Sequence, residues 1–157
     1  MNLPSQVTEQ DVKAIRQMVE RAGVFSAEEI DVAEELAQDA ATQQGDSHYQ
    51  FILAEEEGVL AGYSCFGRIP LTDERYDLYW LVTEKSLARR GIARMVLAQT
   101  EAAIKALDGK AIYAETSSRE IYQPAWRCYE SAGFTLAARV TDFYSKGDDK
   151  LLYVKFL

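Results

Sequence analysis

Several residue types that often carry catalysis or covalent stability are scarce in this chain. Its 157 residues include one histidine, two cysteines and three prolines. Cys65 and Cys128 lie far apart within apolar stretches, and a chain of this length buries enough surface to fold without a disulfide. We therefore interpret both as reduced core residues, which favours a cytoplasmic location. The single histidine, His48, lies in a polar stretch and is a poor candidate for a catalytic base.

Long apolar runs are also missing from the sequence. No stretch approaches about 18 uncharged apolar residues, the length that indicates a transmembrane helix. The first residues contain no basic run followed by an apolar segment, which is the pattern of a signal peptide. We therefore expect a soluble protein without a membrane partner.

Basic residues are fewer than acidic residues in this sequence. Seventeen Lys and Arg residues face twenty-five Asp and Glu residues, which gives a formal net charge of −8. Because this field repels phosphate backbones, we expect no nucleic-acid partner. The field would suit a cationic substrate, although an acidic balance also serves solubility.

What the sequence does contain is a succession of helix and strand patterns. Thr8 with Asp11, and Ser26 with Glu29, resemble capping boxes before apolar residues at helical spacing, so two helices are predicted first. The later predicted elements are strands at 49–55, 59–68 and 77–83, a helix beginning near Ile92, a strand at 110–115, a helix at 125–132, and strands at 134–143 and 150–157. No repeat or linker divides the chain. We expect one α/β domain over residues 1–157 with a mixed, mostly antiparallel sheet.

A basic, glycine-containing segment joins a predicted buried strand to a helix start. It comprises residues 87–94, LARRGIAR. The first N–H groups of a helix lack intrahelical partners and lie at the positive end of the helix dipole, while Gly91 and Ala93 would let an anion approach the backbone. Three arginines add positive charge: Arg89, Arg90 and Arg94. The segment predicts a pyrophosphate site; the alternative is a solvated basic helix start.

A second segment, YQPAWRCYESAGF at residues 122–134, follows downstream. Together the two segments resemble the GNAT superfamily of N-acetyltransferases, whose coenzyme A loop has the pattern [Q/R]xxGx[G/A] and is followed by NxxAxxxYxxxGF. Gly91 and Ala93 match the small positions of the loop, and Ala88 replaces the usual Gln or Arg. In the second segment Tyr122 replaces Asn, and the matching residues are Ala125, Tyr129, Gly133 and Phe134. Residues 115–118 and 142–149 are similar to a subgroup of mostly unassigned substrate.

The resemblance implies a single GNAT-type domain with six or seven strands and about four helices, acetyl-CoA as co-substrate and no metal. It also implies direct acetyl transfer to a primary amine of a small molecule, peptide or protein. Tyr129 would protonate the leaving thiolate as general acid, and main-chain groups near Leu81 would stabilise the oxyanion. The residues expected to bind the co-substrate are Leu81, Val82, Thr83, Arg89, Arg90, Gly91, Ile92, Ala93, Arg94, Tyr122 and Tyr129.

The substitutions at Ala88 and Tyr122 leave an alternative function open. Each removes a side-chain contact that the family resemblance would otherwise imply, so the alternative is a non-catalytic acyl-CoA-binding regulatory module. Retention of Tyr129 argues against that alternative. A third hypothesis is a protein-interaction domain that uses the acidic surface and has no affinity for coenzyme A.

The acceptor side is less well specified by the sequence. Glu115, at the end of a predicted strand, is the expected general base, whereas Asp77 and Glu84 occupy less favourable strand ends. An aromatic set would hold an apolar or cationic acceptor, or belong to the core: Tyr79, Trp80, Tyr122, Trp126, Phe143 and Tyr144. Three acidic residues would bind an ammonium or form an ordinary turn: Asp142, Asp148 and Asp149. The apolar strand at 151–157 would either pair at the edge of a homodimer or lie inside the sheet.

Overall fold

The computed structural model describes all residues, 1–157, as an alternation of helices and strands. The helices are α1 (Glu9–Ala22), α2 (Ala27–Gln43), α3 (Ile92–Ala106) and α4 (Gln123–Ser131). The strands are β1 (Gln50–Glu56), β2 (Val59–Arg68), β3 (Arg75–Thr83), β4 (Ala111–Ser117), β5 (Thr135–Ser145) and β6 (Asp148–Phe156). These elements confirm the predicted numbers of strands and helices, and the predicted boundaries shift by one or two residues.

The six strands form one mixed sheet in the order β1-β2-β3-β4-β6-β5. β3 and β4 run parallel, whereas the pairs β1–β2, β4–β6 and β5–β6 are antiparallel. This topology confirms the predicted fold class. β6 pairs on both sides, with β4 and with β5, so the closing strand lies inside the sheet and β5 is the edge strand. A homodimer remains a prediction, but β6 is not available to form its edge.

The chain divides into two compact units. The first comprises residues 1–67 and 80–100, and the second comprises residues 68–79 and 101–157. The prediction of one domain over 1–157 stays a prediction.

The first unit has a core in which α1 and α2 pack with β1 and β2. Both helices begin with the predicted capping boxes: the Thr8 and Ser26 side chains accept hydrogen bonds from the backbone of Asp11 and Glu29. α1 ends at Gly23, whose φ of 74° is the left-handed conformation that favours glycine at a helix end. Local signals therefore fix the ends of the helices, and apolar spacing fixes which face is buried.

The second unit is organised around β4, which pairs with β3 on one side and β6 on the other. Side chains alternate along β4: Ile112 and Ala114 are buried, whereas Glu115 projects from the other face and is exposed. The ring of Tyr129, on α4, lies 5.6 Å from that of Phe134 and 5.7 Å from that of Tyr153. This packing fixes α4 against the buried face of the strands of its own unit.

Three further features bear on the sequence-based expectations. No helix is long and apolar enough to cross a membrane. No group of three or more His, Cys, Asp or Glu side chains is arranged to hold a metal ion. Neither cysteine forms a disulfide, and burial raises the pKa of the Cys65 thiol.

Candidate functional site

The turn before α3 has the backbone conformation that an anion site requires. Arg89 and Gly91 both adopt positive φ angles, 67° and 77°. The first hydrogen bond of α3 runs from the Met95 N–H to the Gly91 carbonyl oxygen, at 3.0 Å. The N–H groups of residues 92–94 therefore precede the intrahelical hydrogen-bond ladder and lie at the positive end of the helix dipole.

Space and charge at this turn also suit an anion. A Cβ placed on Gly91 would meet no heavy atom within 4 Å, so the backbone there is open to approach. The side chains of Arg89 and Arg94 are exposed. Arg90 is engaged instead: its Nη1 and Nη2 atoms lie 2.7 and 2.6 Å from the two carboxylate oxygens of Glu56. Of the three predicted cationic side chains, Arg90 is thus already paired with a carboxylate.

A close approach of β2 holds this turn in place. A Cβ on Gly62 would lie 2.9 Å from Cγ2 of Ile92 and 3.1 Å from Cγ2 of Thr83. The contact leaves no room for a side chain at position 62, so glycine is required there. Ile92, one of the predicted site residues, has a buried side chain. It can therefore offer a ligand only its backbone N–H. The sequence patterns give no indication of the role of Gly62.

The segment that leaves β3 is anchored by an ion pair with α1. Arg21 Nη2 lies 2.7 Å from Glu84 Oε2, and this hydrogen-bonded partner lowers the pKa of the Glu84 carboxyl below its usual value. Glu84 therefore has a structural role, because it holds this segment against α1. Within the strand end, Val82 is buried and Leu81 and Thr83 are half-buried, which agrees with main-chain roles for these residues.

Tyr129 lies in the second unit with its side chain almost fully buried. Burial raises its pKa, so the phenol stays protonated at neutral pH. Tyr122 is half-buried just before α4, with the Arg119 guanidinium 5.5 Å from the centre of its ring. A protonated phenol on α4 is the state that a general acid needs before it donates.

Glu115, the predicted base, forms an ion pair that the sequence did not indicate. Lys150 Nζ lies 2.9 Å from Glu115 Oε1, and the same ammonium lies 4.4 Å from the centre of the Phe143 ring. The pair follows from the register of β4 and β6. Glu115 lies opposite Leu152, and Lys150, two residues before Leu152, projects from the same face of the sheet. Glu115 remains exposed on the face of β4 opposite to the buried side chains.

A pocket of about 260 Å³ lies beside Glu115 in the same unit. Its lining residues are Asp77, Leu78, Tyr79, Glu115 and Tyr144. A wider groove of about 600 Å³ shares Asp77 and Glu115 and adds Arg75, Tyr113 and Leu152, among others. Asp77 is the third residue of β3 and is half-buried, whereas the prediction made it the first residue of this strand; its lesser suitability as a base stays a prediction.

The predicted aromatic set divides between this pocket and structural contacts. Tyr79 and Tyr144 line the pocket. Trp80 packs edge-on against Phe25 at 5.1 Å in the first unit, and the Trp126 indole N–H donates to the Ser117 carbonyl at 2.9 Å. The two tyrosines are therefore the members of the set that the structure brings together with carboxylates.

The three acidic residues of the last hairpin form internal contacts. Asp148 accepts a hydrogen bond from the Ser117 hydroxyl, and Asp149 accepts one from Arg139 at 2.5 Å. Asp142 accepts from the Gly147 N–H at 2.8 Å. These contacts favour the interpretation of this segment as a structured turn.

Comparison with known proteins settles the family. The model of the acetyltransferase (GNAT) family matches residues 12–134, a span that includes the turn before α3 and Tyr129. This chain belongs to the GNAT family. The prediction made from the two sequence segments is thereby confirmed, and GNAT family members are acetyltransferases.

Several solved structures are similar to this GNAT chain over nearly its whole length. A GNAT-family protein from Desulfovibrio desulfuricans is 37% identical, with 99% of this chain and 98% of that chain covered and a TM-score of 0.95. The yncA protein from Salmonella typhimurium, solved with its cofactor acetyl-CoA, is 18% identical over 100% and 95% of the two chains, with a TM-score of 0.76. The ribosomal-protein-S18-alanine N-acetyltransferase from Escherichia coli is 17% identical over 99% and 92%, with a TM-score of 0.77. At 18% and 17% identity, the last two structures show only that the fold is shared. No curated protein matches the sequence significantly.

Proposed function

We propose that this GNAT chain transfers an acetyl group from acetyl-CoA directly to the primary amine of a small molecule, peptide or protein. The observation that carries the proposal is the turn before α3, with positive φ at Arg89 and Gly91 and open space over the Gly91 backbone. A pyrophosphate at this turn would accept hydrogen bonds from the N–H groups of residues 92–94. Arg89 and Arg94 supply exposed positive charge beside it.

The reaction forms a carbon–nitrogen bond and breaks the thioester carbon–sulfur bond. The neutral amine attacks the acetyl carbonyl, the carbonyl oxygen becomes anionic, and the sulfur departs as a thiolate that needs a proton. Tyr129 would donate that proton, since its buried phenol is protonated at neutral pH. The proton lost by the amine would pass to Glu115 through water. Main-chain N–H groups near Leu81 would stabilise the oxyanion.

The alternative is a non-catalytic acyl-CoA-binding regulatory module. Ala88 offers no polar side chain to the turn, and the Tyr122 ring contacts the Arg119 guanidinium at 5.5 Å, so both departures from the family pattern favour this alternative. We favour the transferase because Tyr129, the candidate general acid, is retained. A binding module would bind acetyl-CoA and release no thiol when amines are added.

The test is acetyl-CoA binding by calorimetry together with amine-dependent release of free thiol, with Tyr129→Phe as the variant. Loss of a general acid lowers turnover by about a hundredfold or more. Tyr153→Phe is the matched control, because Tyr153 is also a buried tyrosine of the second unit but donates its hydroxyl to Glu130 at 3.0 Å. We expect kcat to fall in Tyr129→Phe and to be retained in Tyr153→Phe. Binding without thiol release across amino acids, polyamines, aminoglycosides and N-terminal peptides would favour the regulatory module.

A further inference from the structure

A tight hairpin places a carboxylate beside the turn that precedes α3. β1 and β2 are joined by Glu57 and Gly58, whose φ angles are both positive, 53° and 78°. A type I′ hairpin turn requires positive φ at both central residues, and its twist matches that of the strands it joins. Glu56 pairs with Val59 across this turn. Because the closing pair is formed, the backbone of Glu56 has a defined position at the end of β1.

The same hairpin packs against the start of α3. A Cβ on Gly62 of β2 would lie only 2.9 Å from Ile92 Cγ2. The Glu84 N–H, in the segment that leads from β3 to the turn, donates to the Ala61 carbonyl oxygen at 2.9 Å. All of these residues belong to the first unit. The hairpin, the turn and the start of α3 are therefore held together.

Glu56 and Arg90 form a two-point ion pair across this contact. Arg90 Nη1 lies 2.7 Å from Glu56 Oε2, and Arg90 Nη2 lies 2.6 Å from Glu56 Oε1. Both terminal nitrogens of the guanidinium donate to one carboxylate, and this is the fork that an arginine also offers to a phosphate. The side chains of Arg90 and Glu56 are 53% and 33% exposed. A dissolved anion can therefore reach the pair and replace the carboxylate.

The ion pair changes the charge at the candidate pyrophosphate turn. Arg89 and Arg94 present exposed cations there, whereas the charge of Arg90 is balanced by Glu56. A pyrophosphate that takes the Nη atoms of Arg90 must displace the Glu56 carboxylate and then lies near a group of like charge. Surface ion pairs usually contribute little, but a bidentate arginine–carboxylate pair is the geometry in which they do contribute. The cost to an incoming anion is therefore measurable.

We propose that Glu56 competes with the pyrophosphate of coenzyme A for Arg90, and so weakens the binding of acetyl-CoA and of the product coenzyme A alike. This inference rests on the proposed function, because it takes the turn before α3 as the pyrophosphate site. Donor and product carry the same pyrophosphate, so the competition speeds release of the product as it weakens binding of the donor. Glu56 sets the affinity for the co-substrate without touching the reacting atoms.

The test measures the dissociation constants of acetyl-CoA and of coenzyme A by calorimetry. The proteins are the wild type, Glu56→Gln, Arg90→Gln and the double variant. Glu55→Gln is the matched control, because it removes the same charge one residue away and Glu55 Oε2 accepts a hydrogen bond from Asn2 Nδ2 at 3.3 Å. Inorganic pyrophosphate is titrated separately as a probe of the turn alone.

We expect Glu56→Gln to bind both coenzymes about fivefold more tightly, because Arg90 becomes available for a charge-assisted hydrogen bond. Glu55→Gln should change either affinity by less than about twofold. Arg90→Gln should raise the dissociation constants about twofold in the wild type and about tenfold in the Glu56→Gln background, since Glu56 acts through Arg90. The gain in Glu56→Gln should shrink at about 0.5 M salt, which screens exposed charges.

Unchanged or weaker coenzyme binding in Glu56→Gln would overturn the inference. Weaker binding would show that the carboxylate orients Arg90 toward the phosphate instead of competing for it. Failure of the wild type to bind acetyl-CoA would reject the proposed function, and the titration with inorganic pyrophosphate would then decide the competition by the same criterion.

Discussion

The turn before α3 and the pocket beside Glu115 are built in different ways. The turn is made of consecutive residues, and its candidate ligand groups are backbone N–H groups next to the positive φ angles of Arg89 and Gly91. The pocket is made of side chains from three strands, β3, β4 and β5, placed by pairing register and by a bulge at residues 141–144 of β5. A site made of consecutive backbone groups leaves a sequence motif, whereas a site made of side chains from separate strands leaves none. Three experiments test this distinction.

Replacing Glu115 tests whether the side-chain site takes part in the chemistry. If Glu115 is the base, Glu115→Gln should lower turnover about a hundredfold and most strongly at low pH, where the amine is protonated and must lose its proton. Affinity for acetyl-CoA should be unchanged. Asp108→Asn is the control, because Asp108 is an exposed carboxylate of the same unit and Asn tolerates its φ of 59°. An unaltered pH–rate profile in Glu115→Gln would remove Glu115 from the mechanism.

Replacing Gly91 tests whether the turn acts through its backbone. Gly91→Ala places a side chain at φ 77° and in front of the helix start, so we expect the dissociation constant for acetyl-CoA to rise about tenfold. Gly23→Ala is the matched control, since Gly23 has φ 74° but caps the end of α1. Both variants should lose a similar free energy of unfolding, about 1 kcal/mol. Equal acetyl-CoA affinity in the two variants would show that the Gly91 backbone does not bind the anion.

Replacing Asp149 tests the side-chain support of the bulge. The Asp142 N–H and the Arg139 guanidinium lower the pKa of Asp149, so the ionised carboxylate stabilises the fold above its ordinary pKa of about 4. This stabilisation is lost as pH falls through the lowered pKa of the folded state. Asp149→Asn should therefore have a lower Tm than wild type at pH 7, and the difference should narrow in thermal unfolding experiments below about pH 4. A difference in Tm that does not depend on pH would show that the charge of Asp149 does not hold the bulge.

Much of the fold was predictable because its determinants are local. The capping boxes at Thr8 and Ser26 and the glycine at position 23 fix helix ends within a few residues of sequence. Apolar runs indicated the strands, and the succession of β3, α3 and β4 is the strand–helix–strand order that a parallel pair requires. The predicted anion site rests on the same kind of local signal, since Gly91 and the helix start are contiguous, and it stays a prediction.

The rest of the candidate site could not be read from the sequence because its determinants depend on strand register. The Glu115–Lys150 ion pair and the placement of Tyr144 require the pairing of β4, β5 and β6 and a bulge of defined size. Asp77 was predicted to lie at a less favourable strand end. Asp77 and Glu115 are far apart in sequence, so the sequence does not show that they line the same pocket. The close contact at Gly62 could not be predicted, because a glycine in an apolar strand does not show which residues pack against it.

The close contact at Gly62 and the bulge in β5 differ in how they respond to acid. The van der Waals packing of Gly62 against Ile92 and Thr83 contains no titratable group, so acidification does not weaken it. The bulge that carries Tyr144 depends on a carboxylate that protonates at low pH. As pH falls through the lowered pKa of Asp149, we therefore expect the bulge to loosen while the packing around Gly62 persists. Strong acid would thus act on the edge hairpin without acting directly on the contact that Gly62 makes.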